Sequence, residues 1–324
     1  MTHLIGRILL IATAFASFAV NSVAQDRKPT TVGLLWFTNP SLAKPYDDAF
    51  RDGLRTLGYI DGRNITIFPR YAQGDDARTS QLLKELIDLH VDVLVVNPKA
   101  VRAAMQATKV IPIVCPTLGD PVKEGFIKDL ARPVGNFTGI SAQAWETDSK
   151  RLELAGKLIP NLRHVALLFD ASSVGDVTAA SELRSVARGR GITLRLLGVR
   201  TVEEISGALA NIEKSEQALI IFDEPFTLLH REVIMRLAAH RLPVIGETKM
   251  WVEAGGVVAY AADAFENWRR SATYVDRILK GAKAGDLPIE QASKFELVVN
   301  LNAAKRFGII VPQSILLRAD EVIR

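Results

Sequence analysis

Side chains able to do acid–base, nucleophilic or metal chemistry are few and scattered in this chain. The five histidines are His3, His90, His164, His230 and His240. No two share the spacing of metal ligands, and after His3 each falls in a helical pattern or at a strand start. The single cysteine, Cys115, closes the apolar run Ile111-Pro-Ile-Val-Cys115, which reads as a buried strand and not as a nucleophile. The sequence contains no Gly-x-Ser-x-Gly elbow, no phosphate-binding loop and no dinucleotide-binding glycine motif. Asp120 and Asp170 stand alone, and Asp223-Glu224 is an adjacent pair at a strand end, where neighbouring side chains point apart. No general acid/base pair of defined spacing emerges. These residues point to binding, with no metal and no cofactor.

What the polar residues offer is hydrogen bonding and ion pairing, and the elements around them say where. Short apolar runs alternate with helical patterns. The runs are Val32–Trp36, Ile65–Phe68, Val91–Val96, Ile111–Cys115, Phe137–Ile140, Val165–Phe169, Leu194–Leu197, Leu219–Phe222, Val244–Gly246 and Val257–Tyr260. Nearly continuous Val/Ile/Leu stretches predict parallel strands covered on both faces. Helical segments include Tyr46–Leu57, Thr79–Leu89, Thr147–Leu158 and Leu228–Ala239. Such alternation predicts an α/β fold of doubly wound parallel sheets. Ligands of such sheets bind outside the carboxyl ends of the strands. That rule selects loops carrying Asn39, Asn97, Lys99, Thr117, Asp120, Ser141, Ser172, Asp223, Phe226 and Glu247. Asp223 or Glu247 would receive an ammonium group; Ser172, Thr117 or Asn97, with Lys99, would hold a carboxylate. Trp36 or Phe226 would stack on a flat or apolar solute.

About ten strands are many for one open sheet and suit two sheets of about five. The expected lobes are residues 26–141, with about 262–290 returning to the first, and 142–261, with about 291–324 contacting the second. A strand over Phe295–Asn300 and a helix over Phe265–Lys280 belong to the returning chain. Residues 1–24 read as a secretory signal peptide: Arg7, then the apolar run Ile8 to Val20, then the small residues Ser22 and Ala24 before Gln25. The run is shorter than the roughly 20 residues needed to span a bilayer. The mature protein is therefore expected in the periplasm. With 40 basic and 36 acidic residues dispersed along 324, the net charge is +4. No dense basic run marks nucleic acid as a partner.

The chain also resembles a family. The segments Phe50-Arg-Asp-Gly-Leu-Arg-Thr-Leu-Gly-Tyr-Ile-Asp-Gly-Arg-Asn64, Gly119-Asp-Pro-Val122, Leu130-Ala-Arg-Pro-Val-Gly-Asn-Phe-Thr-Gly-Ile140, Val252-Glu-Ala-Gly-Gly256, Tyr274-Val-Asp-Arg-Ile-Leu-Lys-Gly-Ala282 and Lys294-Phe-Glu-Leu-Val-Val-Asn300 are similar, in order and spacing, to ABC-transporter substrate-binding proteins of the tryptophan/tyrosine-binding type. The resemblance implies the type I periplasmic-binding-protein fold, two lobes and hinge closure on a small molecule. It also implies an ABC permease and its ATPase as partners, with the membrane reached only through the permease. Two loops depart from the pattern: Asn97-Pro98-Lys99, where the family commonly has Gly then Ser or Thr, and Asp170-Ala171-Ser172, where it commonly has Asn-Pro. The alternative from the same fold is an extracytoplasmic sensor feeding a receptor.

Overall fold

The computed structural model describes residues 30–133 and 135–324. The expected signal peptide lies outside the described residues. The elements in chain order are β1 (Thr30–Trp36), α1 (Pro40–Thr56), β2 (Ile65–Tyr71), α2 (Asp76–Asp88), β3 (Val93–Val96), α3 (Val101–Ala107), β4 (Ile113–Leu118) and β5 (Phe137–Ser141). There follow α4 (Ala144–Leu158), β6 (His164–Asp170), α5 (Val174–Gly189), β7 (Thr193–Val199), α6 (Val202–Ala210), β8 (Ala218–Ile221), α7 (Pro225–Leu229), α8 (Arg231–Ala238), β9 (Val244–Gly246), α9 (Lys249–Glu253) and β10 (Val258–Ala262). The chain ends with α10 (Ala264–Leu279), β11 (Glu290–Gln291), β12 (Phe295–Asn300), α11 (Leu301–Arg306), α12 (Gln313–Leu316) and β13 (Glu321–Ile323).

The strands form two sheets, the first six-stranded in the order β11-β5-β4-β3-β1-β2 and the second seven-stranded in the order β13-β12-β10-β9-β8-β6-β7. Among the described strands, pairing is parallel except between β10 and β12. Each sheet exceeds the five strands expected because the returning chain adds β11 to one and β12 and β13 to the other. The chain passes between the sheets three times: from β5 to α4, from β10 to α10, and from β11 to β12.

Covering on both faces explains the continuous apolar runs. In β1, Val32, Leu34 and Trp36 join one core layer, whereas Leu35 and the following Phe37 join the layer on the other face. In β8, Leu219 and Ile221 face one layer and Ala218 and Ile220 the opposite one. The period of two that places alternate side chains on opposite faces is masked in the sequence because both faces need apolar residues. Helices α1 and α10 share one layer over the first sheet. Gly53 lets them approach: a Cβ there would lie 2.2 Å from the backbone oxygen of Arg269. Helix α1 begins six residues before the expected Tyr46 because Asn39 caps it, accepting from the Leu42 amide, and Pro40 fits its first turn. The single helix expected over Leu228–Ala239 is two, α7 and α8, meeting at His230.

Candidate functional site

The carboxyl ends of both sheets open on one cavity of about 210 Å³. From the first sheet come Trp36 and Thr38 after β1, Asn97 after β3, and Thr117 and Asp120 at and after β4. From the second come Asp223 and Glu224 after β8 and Glu247 and Thr248 after β9. Helices complete it with Tyr46 on α1, Trp145 and Asp148 on α4, Asp176 on α5, and Asn267 and Trp268 on α10.

One wall is aromatic. Trp36 stacks on Trp268 with centroids 4.2 Å apart, and Tyr46 stacks on Phe265 at 4.8 Å. Tyr46 also reaches the other lobe, its hydroxyl 3.6 Å from the Met250 sulfur. Burial pushes its phenol well above the usual range. Among the described residues, buried Trp36 and Asn267 each leave a nitrogen without a partner, and buried Asn97 leaves its Oδ1 so.

The remaining walls are acidic. Eight carboxylate side chains line the cavity, and Lys123 is the one cationic side chain among the described lining residues. Arg151 lies behind them on α4, fully buried, donating to Asp148, to Glu247 at 2.9 Å and to the Tyr260 carbonyl at 3.0 Å. Asp148 keeps a carboxyl pushed up to about 8 by burial, against the pull of Arg151. Asp223 accepts from the Thr248 hydroxyl at 2.9 Å through Oδ2, while its Oδ1 has no partner among the described residues. Burial, reinforced by the charge of Glu247, raises it to about 7. Burial raises Glu224 to about 8, with Glu124 adding to the shift, and lifts Asp176 well above its usual range. Glu124 accepts from the Asp120 amide at 3.0 Å and is raised to about 7 by burial. Concentrated like charges in a desolvated cleft hold on to protons.

Of the residues chosen from sequence, Trp36, Asn97, Thr117, Asp120, Asp223 and Glu247 line the cavity. Asn39 caps α1 instead. Ser141 donates to the Gly119 carbonyl at 2.9 Å and shapes a turn. Phe226 is turned into the core by α7, which starts one residue earlier, and rests against His230. Lys99 and Ser172 meet each other. The Lys99 ammonium donates at 2.6 Å to Asp170 and at 2.6 Å to the Ser172 hydroxyl, so it is engaged with the protein and not turned to the cavity. That pair ties the loop after β3 to the loop after β6, across the lobes. Lys123 makes a second tie, 2.8 Å from Glu182 on α5 and 4.1 Å from the Trp145 ring centroid. Asp223 and Glu224, expected to diverge, both line the cavity because the chain turns into α7 between β8 and the helix. Sequence reasoning missed Trp268, Asn267, Asp148 and Tyr46. They lie on helices, outside the strand-end loops, and only the packing of α1, α4 and α10 beside the strand ends brings them in.

Among the described residues no group of three or more His, Cys, Asp or Glu is arranged to hold a metal ion, and no helix is long and apolar enough to cross a membrane.

Comparison with known proteins places this geometry. The chain is 24% identical over 288 residues to the tyrosine-binding protein of Clostridioides difficile (strain R20291), covering 88% of this chain and 83% of that one. A solved conserved domain protein from Vibrio cholerae O1 biovar El Tor superposes with a TM-score of 0.86 at 26% identity, over 91% of this chain and 100% of that one. An ABC domain from Streptococcus pneumonia in complex with L-Trp superposes with a TM-score of 0.80 at 25% identity, with the same coverage. The family model for ABC transporter substrate binding proteins matches residues 34–323, and with two parallel-sheet lobes closing on one small cavity, the chain belongs to that family.

Proposed function

We propose that this protein is a periplasmic receptor that encloses one small organic solute between its lobes and presents the closed complex to an ABC permease and its ATPase. The observation that carries the reading is the cavity itself. Both lobes supply its walls, and Lys99 and Asp170 hold the lobes together beside it. Its volume of about 210 Å³ lies below the roughly 300–1,000 Å³ of drug-sized pockets, which suits a metabolite. The stacked Trp36 and Trp268 suit a flat or apolar body. The tyrosine and tryptophan named for two relatives support a solute with an aromatic portion. Residues 1–24 supply the export signal in this reading, and the lobes comprise residues 26–141 with 262–290 and 142–261 with 291–324. Closure is a hinge motion about the three crossings, favoured by a solute touching both lobes. No chemical change of the solute is required.

Native mass spectrometry of the purified protein, followed by small-angle scattering with and without the solute found, tests the reading. A retained small molecule whose removal expands the protein is the expected result. A protein that neither retains nor binds any small solute, or does not change shape on binding, removes it.

A further inference from the structure

Acidic side chains outnumber cationic ones among the described residues that line the cavity. Arg151 is held between Asp148 and Glu247, Lys99 is bound to Asp170, and Lys123 to Glu182. Among the described residues, Glu124, Asp176, Asp223 and Glu224 line the cavity with no cation within ion-pair distance. Buried Asn97 lines the same space from the opposite lobe, and its Oδ1 has no partner among the described residues. Without solute these carboxyls are neutralised by the protons they retain; a donor that brings positive charge can take the place of such a proton, and the stacked Trp36 and Trp268 add faces that attract one.

We infer that the solute is a protonated amine on an apolar or aromatic body that carries no carboxylate. This rests on the solute-binding reading above and narrows it. An amino acid would place its carboxylate among these acids, while Arg151, Lys99 and Lys123 are already engaged with carboxylates of the protein; Arg231, whose buried Nε and Nη1 have no partner among the described residues, does not line the cavity. The unpartnered Trp36 Nε1 and Asn267 Nδ2 are neutral donors; they suit a hydroxyl or carbonyl oxygen and supply no countercharge.

The inference has a pH signature. Asp223 is faced by Glu247 and Thr248, by Trp251 on α9, by Arg151 on α4 and by Tyr46 on α1. Glu224 is faced by Asp176 on α5, by Glu124 after β4, and by Lys99 and Asp170. Without solute both carboxyls keep protons up to about 7 and about 8. A bound ammonium requires one of them ionised, so its affinity rises as pH climbs from about 6 to about 8. A carboxylate would show the opposite trend.

Isothermal titration calorimetry of the whole protein with matched pairs decides the matter: tryptamine and tryptophan, phenethylamine and phenylalanine, isoamylamine and leucine. An amine binding at least about tenfold tighter than its amino acid, and more tightly at the higher pH, is expected from one charge-assisted bond without a compensating anion penalty. Asp223→Asn should weaken the amine by a similar factor and flatten the pH trend. An amino acid that binds as well as or better than its amine overturns the inference, and so does the failure of every amine to bind. Native mass spectrometry of the same preparation separates the two failures. A retained solute of another class leaves the solute-binding reading intact; an empty protein that binds no member of the set and no other small solute removes both.

Discussion

Replacing Lys99 by Met should open the protein. The ammonium gives Asp170 Oδ2 a hydrogen bond of 2.6 Å and the Ser172 hydroxyl another of 2.6 Å, with side-chain exposures of 11% for Lys99 and 1% for Asp170. Asp170 Oδ1 retains the Ser172 amide and hydroxyl at 2.8 and 2.6 Å, within its own loop. The lost contact is therefore the one that crosses the lobes. In the open form water reaches both groups, so the loss falls on the closed form alone. A bond to a charged group contributes about 1.5–3 kcal/mol, which moves the closed-to-open ratio toward open by roughly 10- to 150-fold. Small-angle scattering of the solute-free protein should show Lys99→Met more expanded than wild type, while its lobes melt at nearly the same temperature. Apparent affinity for any solute should fall in proportion to the closed population. In a cycle with Asp170→Asn, the second substitution should add little once the first is made. An unchanged scattering profile together with affinity within about twofold of wild type would refute the idea that this pair favours closure.

Other expectations follow from packing and protonation. Gly53→Ala should destabilise the first lobe by about 1–3 kcal/mol, because a Cβ would meet the Arg269 oxygen at 2.2 Å; a chemical melt with unchanged or higher midpoint counts against the packing of α1 on α10. Solute-free protein should become less stable between about pH 5 and pH 8. Burial raises Asp148, Asp223 and Glu224 to about 8, 7 and 8, so the native state binds protons that the unfolded chain has released. The stabilisation is complete below the ordinary carboxyl range and is lost as pH climbs through the raised values. Thermal midpoints that rise over that interval would contradict it. Cys115 is fully buried and burial pushes its thiol well up, so a thiol reagent should label it only after unfolding; rapid labelling of native protein would argue against its place in β4. Arg151→Met should cost more than a surface change of the same kind, since it strands Asp148 and Glu247 beside the cavity. Calorimetric unfolding checks this, and the loss should shrink when Asp148→Asn is combined with it.

Local sequence determined the strands. Val93–Val96 and Leu219–Ile221 are interior strands, and their continuous apolar character announces this because both faces of each must be covered. The carboxyl-end rule then found six of the cavity's residues from Trp36 to Glu247, since a strand's end is a local property. Identities alone could not say what each loop residue does. Lys99 and Ser172 look like ligand contacts in isolation, and only the approach of two loops from different lobes pairs them with Asp170. Phe226 looks available until α7 turns it into the core. Asp148, Asn267 and Trp268 carry no local sign of a site, because helix positions acquire a cavity-facing role only through the packing of α4 and α10 beside strand ends distant in sequence. The surplus of acid has the same origin: a chain of net charge +4 holds an acidic cavity because folding gathers carboxylates from loops and helices that are separated along the chain.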